Sequence, residues 1–219
     1  GYSVSTGQAN VYLGTNAGRA HIGNYSVFVG TYAGYSTTTP EQNTAVGYAT
    51  LYTNTTGDAN TAVGRGALYY NSTGGSNTAV GASVLSNNTA GNSNTGVGVS
   101  SLQSNTTGSN NVAVGYQAGY SNTTGTDLVA IGSGALYTNS AGIENIAIGR
   151  NTMFFTTTGG GNTAVGVQSM LSNTIGGANA AYGYKALYSN STGANNIAVG
   201  YQAAYSNTTG YSNTAIGYR

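Results

Sequence analysis

The sequence predicts an all-β chain, a parallel β-roll or β-solenoid in which each 17-residue repeat makes one coil. The pentapeptide Asn-Thr-Ala-Val-Gly or a near relative begins at Asn43, Asn60, Asn77, Asn94, Asn111, Leu128, Asn145, Asn162, Asn179, Asn196 and Asn213, always 17 residues apart. Fixed-period self-similarity marks a stacked repeat rather than disorder, even in a 219-residue chain with 36 Gly. Numbering each unit 1 to 17 from that Asn, Gly recurs at positions 5 and 15, and Asn, Ser and Thr crowd the interval between units. All of these are poor in helix interiors. Finally, position 4 is aliphatic in twelve of thirteen units, from Leu13 to Ile216, with Tyr182 the exception.

The elements follow in order along the unit. Constancy at position 4 predicts a buried ladder. Position 9, which is Leu or Met at Leu51, Leu68, Leu85, Leu102, Leu136, Met153, Met170 and Leu187 but Gly or Ala at Gly18, Gly34, Gly119 and Ala204, predicts a second, looser one. Between them position 5 is Gly in all thirteen units, as a corner with positive φ or close backbone approach requires. Each coil is therefore expected to hold two strands of about four or five residues flanking a fixed bend, followed by a polar loop, with coils stacked at about 4.8 Å. Asn at position 1 and Thr at positions 2, 13 and 14 would form ladders bonded along the axis. The array reads as a single continuous one over 1–219, irregular in the units of 10–42, regular over 43–212 and partial at both ends, as in a section of a longer fibre.

Position 3 lies on the opposite strand face from positions 2 and 4 and is Ala or Gly in every unit from Ala45 to Ala215. A strand that avoids charge on both faces is expected to be covered twice, once by its own coil and once by a neighbouring chain packed over the Ala ladder. Closed symmetry then favours a parallel ring of chains. The first two whole units differ. They carry Tyr12 and Phe28 at position 3, the first is a residue short, and Pro40 takes position 15 in the second. Because Pro fixes φ near −65°, a changed cross-section is expected over residues 10–42.

Composition excludes several functions. Five Lys and Arg, four Asp and Glu and a net charge of +1 supply no basic stripe for nucleic acid. No stretch approaches the roughly 18 to 20 apolar residues of a spanning helix, and there is no Cys. Glu41, Asp58, Asp127 and Glu144 occupy loop positions 16 or 17 with no His or Lys beside them, so they read as solvated charges rather than an acid-base pair. His21, the one histidine, lacks the partners a metal needs. Arg65 and Arg150 share position 6 five coils apart, Lys185 is isolated, and Gly159, Gly160 and Gly161 lack the Lys and helix of a phosphate loop. The sequons at Asn24, Asn54, Asn71, Asn87, Asn105, Asn122, Asn190 and Asn207 arise mostly from the repeat itself. No catalytic group, cofactor or metal site is expected, and the chain reads as a non-enzyme.

Tyr is the surplus that points to contact. It fills position 6 at Tyr48, Tyr116, Tyr184 and Tyr201 and position 10 at Tyr52, Tyr69, Tyr120, Tyr137, Tyr188 and Tyr205. Facing outward, such columns would stack on sugar rings or grip a partner with little charge to desolvate. The competing reading places them over hydrophobic edges and intersubunit seams.

The Asn-Thr-Ala-Val-Gly and Asn-Ile-Ala-Ile-Gly pentapeptides, often followed by Ala at position 8, resemble the head repeats of trimeric autotransporter adhesins. The whole unit, as in residues 196–212, is similar to the repeats of phage tail fibres and bacterial surface fibres that end in an endosialidase-type intramolecular chaperone. The resemblance implies a left-handed homotrimeric β-roll, an adhesin head or tail-fibre shaft displayed outside the cell or on a virion. It would mediate or space attachment to a cell-surface glycan or protein, without inserting into a membrane. The loop is longer than in the adhesin unit. From another class, regular Thr and Asn ladders also suggest an ice- or crystal-binding solenoid, which the large Tyr columns and the mixed position 2 disfavour.

Overall fold

The computed structural model describes residues 7–219; Tyr2, which falls at position 10 of the partial leading repeat, lies outside them. The chain divides into two compact units, one ending at Asn110 and the other running from Asn111 to Arg219. The first holds β1 (Val11–Leu13), β2 (Val27–Val29), β3 (Thr44–Val46), β4 (Thr61–Val63), β5 (Thr78–Val80) and β6 (Thr95–Val97). The second holds β7 (Val112–Val114), β8 (Val129–Ile131), β9 (Ile146–Ile148), β10 (Thr163–Val165), β11 (Ala180–Tyr182), β12 (Ile197–Val199) and β13 (Thr214–Ile216). Within each unit successive strands pair in parallel with like positions side by side, as Thr61 and Val63 lie beside Thr78 and Val80, and Ile146 and Ile148 beside Thr163 and Val165. Each unit is an all-β solenoid with one coil per repeat.

The expectation of two strands per coil is corrected: each coil has one strand of three residues, at positions 2 to 4. Position 9 lies in a turn with left-handed backbone, φ being 51° at Leu51, 50° at Leu68 and 49° at Met153. There the amides still bond from coil to coil, Leu68 N–H donating to the Val84 carbonyl at 3.0 Å and Gly66 N–H to the Tyr48 carbonyl at 3.0 Å. Coils are thus tied together outside the sheet without extended backbone. Holding an L-residue in this region costs about 1–2 kcal/mol, which burial of a Leu side chain, worth about 1.5–3 kcal/mol, offsets.

The two faces of the strand are also the reverse of the expectation. Val63, Val80, Val114 and Ile131 at position 4 are 37–38% exposed, whereas Ala45, Ala62, Ala113 and Ala147 at position 3 are sealed. Alternation sets position 3 against position 4 without saying which is inward. The interior takes the smaller residue because Leu or Met at position 9 is buried in the same narrow space. A Cβ on Gly96 would already come within 2.5 Å of the Val84 side chain. Where position 3 is large, position 9 shrinks: Cβ atoms on Gly18 and Gly34 would fall 2.6 Å from the rings of Tyr12 and Phe28. The Ala ladder is therefore covered by its own coil, and the case for a partner moves to the outer face of the strands.

Polar ladders complete the interior. Asn43, Asn60, Asn77 and Asn94 at position 1 and Asn54, Asn71, Asn88 and Asn105 at position 12 are all sealed from solvent. Both columns converge on the carbonyl of position 15. The Gly74 oxygen accepts from Asn60 Nδ2 at 2.9 Å and from Asn71 Nδ2 at 2.8 Å. Along the stack Asn71 Nδ2 donates to Asn54 Oδ1 at 3.0 Å, and Asn88 Nδ2 to Asn71 Oδ1 at 2.7 Å. Buried amides satisfied in this way add specificity of register to cohesion. Position 13 bonds along the axis as expected, Thr55 Oγ1 to the Ser72 carbonyl at 2.8 Å and Ser72 Oγ to the Thr89 carbonyl at 2.9 Å. Five of the sequon residues, Asn54, Asn71, Asn105, Asn122 and Asn190, are locked in the position 12 ladder and inaccessible.

In the irregular coils the ring-for-Leu exchange is internal, and β1 and β2 keep the register of the other strands. His21 takes the position 12 place and is 1% exposed. Its Nε2–H donates to the Pro40 carbonyl at 2.8 Å, while Nδ1 accepts from the Tyr12 hydroxyl. Phe28 packs edge-on against the imidazole with centroids 5.0 Å apart. Burial lowers the imidazole's pKa, against the opposing pull of the Pro40 carbonyl and the Glu41 charge, and pushes the Tyr12 phenol up to about 12. With the folded-state value held below the ordinary histidine value of about 6.5, neither state is charged well above it and nothing is lost. As pH drops through that value the unfolded chain takes up its proton before the folded chain does, and stability falls as pH falls. Thermal unfolding from pH 7.5 to 5 is expected to show this loss, at most about 1.4 kcal/mol per pH unit, and His21→Asn is expected to remove it.

Candidate functional site

Two surfaces remain after the interior is accounted for. The first is the outer face of the strands, built by positions 2 and 4. In the first unit it presents Thr44, Thr61, Thr78 and Thr95 beside Val46, Val63, Val80 and Val97. In the second unit it is more apolar, with Ile146 and Ile148 each 37% exposed, Ile197 45% and Val199 38%. No strand residue is charged among the described residues. Scattered exposed aliphatics are ordinary on a protein surface, but contiguous rows of them mark a contact surface.

The second surface is aromatic. The position 6 residues Tyr48, Tyr116, Tyr184 and Tyr201 are exposed, while Tyr52, Tyr69, Tyr120, Tyr137, Tyr188 and Tyr205 at position 10 are half-buried. Like stands over like. Tyr52 and Tyr69 stack with centroids 4.9 Å apart and planes 4° apart. Tyr120 with Tyr137, and Tyr188 with Tyr205, repeat this at 5.1 and 4.9 Å, and Tyr184 stacks on Tyr201 at 5.2 Å. Tyr48 meets Tyr32 edge-on, and Tyr116 makes no ring contact among the described residues. The columns run with the coil spacing, so each ring is offset-stacked by the backbone ladder beneath it.

Reasoning from Tyr alone missed several partners. Phe154 continues the position 10 column over Tyr137 at 4.8 Å, which the 17-residue period would have found had Phe been counted with Tyr. Tyr70 and Phe155 at position 11 stand nearly perpendicular to Tyr69 and Phe154, at the ends of two columns. The cations are less isolated than their spacing suggests. Lys185 Nζ lies 5.2 Å from the ring centroids of both Tyr184 and Tyr188, and a hydrogen bond with Tyr184 raises its pKa. Arg19 lies over Tyr35 at 5.2 Å. Such contacts tether the cation to an aromatic face.

The acids stay in the loops. Asp58 Oδ1 accepts from the Glu41 backbone N–H at 2.7 Å, and Glu41 Oε1 from Asn24 Nδ2 at 2.7 Å. Asp127 and Glu144 are exposed. Among the described residues no group of three or more His, Cys, Asp or Glu is placed to hold a metal ion, and no helix is long and apolar enough to cross a membrane. No family model, curated protein or solved structure matches the chain.

Proposed function

We propose that the chain is a non-enzymatic structural and adhesive segment of an extracellular fibre, an adhesin head or tail-fibre shaft that mediates or spaces attachment to a cell surface. The observation that carries this reading is the uncharged, aliphatic outer face of the strands, which each coil leaves uncovered while sealing its own interior. Three left-handed chains meeting through that face would bury the position 4 rows against one another. The number three and the hand rest on the resemblance of the repeats to trimeric fibres. The tyrosine columns then supply contact area for a glycan or protein on the target surface, since aromatic rings bring a large apolar payload with a hydroxyl handle.

Native mass spectrometry and sedimentation test the assembly. The wild-type chain is expected as a trimer, and the double variant Val63→Lys with Val80→Lys as a folded monomer, because these side chains lie outside the coil and opposing Lys rows would repel across the seam. A wild-type chain that sediments as a monomer at micromolar concentration overturns the proposal.

One observation favours a second reading. Thr44, Thr61, Thr78 and Thr95 stand in register on the outer face of β3–β6, beside a row of Val. An ice- or crystal-binding solenoid would use such a repeated array of hydroxyl and methyl groups. Thermal hysteresis of the wild-type chain, lost in Thr61→Lys with Thr78→Lys, would select it.

A further inference from the structure

In the first unit the position 10 column runs through Tyr35, Tyr52 and Tyr69 and stops where the next coil bears Ser86. Beside its end lies a cleft of about 230 Å³ lined by Tyr48, Arg65, Gly66, Tyr69, Tyr70 and Ser86, among others. Tyr69 and Tyr70 form a corner, their centroids 4.6 Å apart and planes at 72°, and the outer residues Tyr48 and Tyr70 are 56% and 54% exposed. Gly66 opens the cleft: a Cβ there would meet nothing within 4 Å.

We infer that this cleft binds a single carboxylate-bearing pyranose, the acidic residue of a glycan. The inference rests on the attachment reading above and names its ligand class. The volume is below the roughly 300–1,000 Å³ of pockets for drug-sized ligands, which suits one sugar ring rather than a peptide segment. Perpendicular phenol rings offer a flat apolar platform for a sugar's C–H face together with hydroxyls for its polar edge. Arg65 is the one charged side chain in the lining and no acid accompanies it, so the cleft is electrostatically selective for an anion. A planar guanidinium matches a carboxylate through two parallel N–H bonds. A phosphate dianion would face only this single cation. The strand face is not part of the lining, so association and sugar binding are separable.

Two substitutions leave the fold intact. Position 6 holds Ala82 and Val99 in other coils of the unit, so Arg65→Gln removes charge alone. Position 7 carries Gln117, Gln168 and Gln202 at φ of 54°, 57° and 54° in other coils, close to the 64° of Gly66, so Gly66→Gln fills the cleft without moving the backbone. Saturation-transfer NMR and calorimetry would use a galacturonic acid disaccharide, the matching neutral galactose disaccharide and inorganic phosphate. The wild-type chain is expected to bind the acidic sugar at least tenfold more tightly than the neutral one or phosphate. Arg65→Gln is expected to erase that preference and Gly66→Gln to abolish binding, both with unchanged melting and unchanged sedimentation. Absence of acidic-sugar binding in a wild-type chain that sediments as a trimer overturns this inference and leaves the assembly standing. Equal binding by wild type and both variants, or phosphate binding as tight as the sugar, overturns it as well. A monomeric wild-type chain that binds the acidic sugar as described sinks the trimer and keeps the cleft.

Discussion

Asn71→Asp is expected to destabilise the first unit by about 3–5 kcal/mol at pH 7, the cost of an unpaired buried charge, although it replaces one NH2 group by an oxygen of nearly the same size. Asn71 donates to Asn54 Oδ1 and the Gly74 carbonyl and accepts from Asn88 Nδ2, in a place with no solvent exposure. A carboxylate could still accept from Asn88 but would set a negative oxygen against two acceptors. Protonation restores one donor, so the loss is expected to shrink as pH falls toward 4, opposite in sign to the His21 effect. Burial raises a carboxyl's pKa, which brings that recovery within reach of a chemical-denaturation series between pH 4 and 7. A constant loss over that range would show that Asn71 contributes shape rather than donors.

The second unit supplies the converse. Thr156 interrupts the position 12 column between Asn139 and Asn173, and Asn139 Oδ1 is left buried without a hydrogen-bond partner. Asn173 Nδ2 keeps its bond to the Gly176 carbonyl at 3.0 Å, but along the column it meets only Thr156 Oγ1, at 3.5 Å. Restoring the ladder with Thr156→Asn adds a donor where one is missing, a gain of about 1–2 kcal/mol in the same measurement. The two variants together test whether the column acts as a line of hydrogen bonds or as packing.

Much of this architecture was legible in the repeat. The repeat placed the one strand that each coil has, although it also suggested a second that is absent, because like residues stack on like and the constant Gly at position 5 marked the corner. The direction of the strand faces was not legible, since constancy at position 4 is equally the mark of a buried ladder and of a repeated outer face. The clue lay in pairs rather than columns: Tyr12 with Gly18 and Phe28 with Gly34 reveal that positions 3 and 9 share one small volume. Position 9 is the buried ladder that its Leu and Met residues suggest, but the strand expected there is absent, because the backbone at that position is left-handed in every coil. Ordinary propensity puts Leu in helix or strand, and here the burial of its side chain overrides the backbone preference. The tyrosine columns were found from spacing alone. The cleft was not, because it depends on an absence of side chain at Gly66 and on a column that stops at Ser86.

Two glycines in one coil, Gly64 and Gly66, are expected to respond oppositely to the same added methyl group. Gly64 sits at position 5 with φ of 128°, and a Cβ there would lie 2.4 Å from the Gly81 carbonyl oxygen and 2.6 Å from its carbon. Neither atom belongs to a flexible side chain, so relief requires the coils to separate. Separation would stretch the bonds from Gly64 N–H to the Val46 carbonyl and from Gly81 N–H to the Val63 carbonyl, both 2.8 Å. Backbone strain of about 1–3 kcal/mol adds to that clash, and Gly64→Ala is expected to cost more than about 3 kcal/mol. Gly66 also has positive φ, at 64°, but open space around its Cβ, and Ala49 and Ser83 occupy the same position in the adjoining coils at φ of 52° and 57°. Gly66→Ala is expected to stay within about 1 kcal/mol of wild type, the scale of such exchanges where the backbone already accommodates a side chain. Paired denaturation curves of the two variants decide it. Similar losses would mean that φ alone governs both sites. A large gap would identify coil-to-coil contact at the corner as what holds neighbouring strands, and with them the outer aliphatic rows and stacked tyrosines, at their repeat distance.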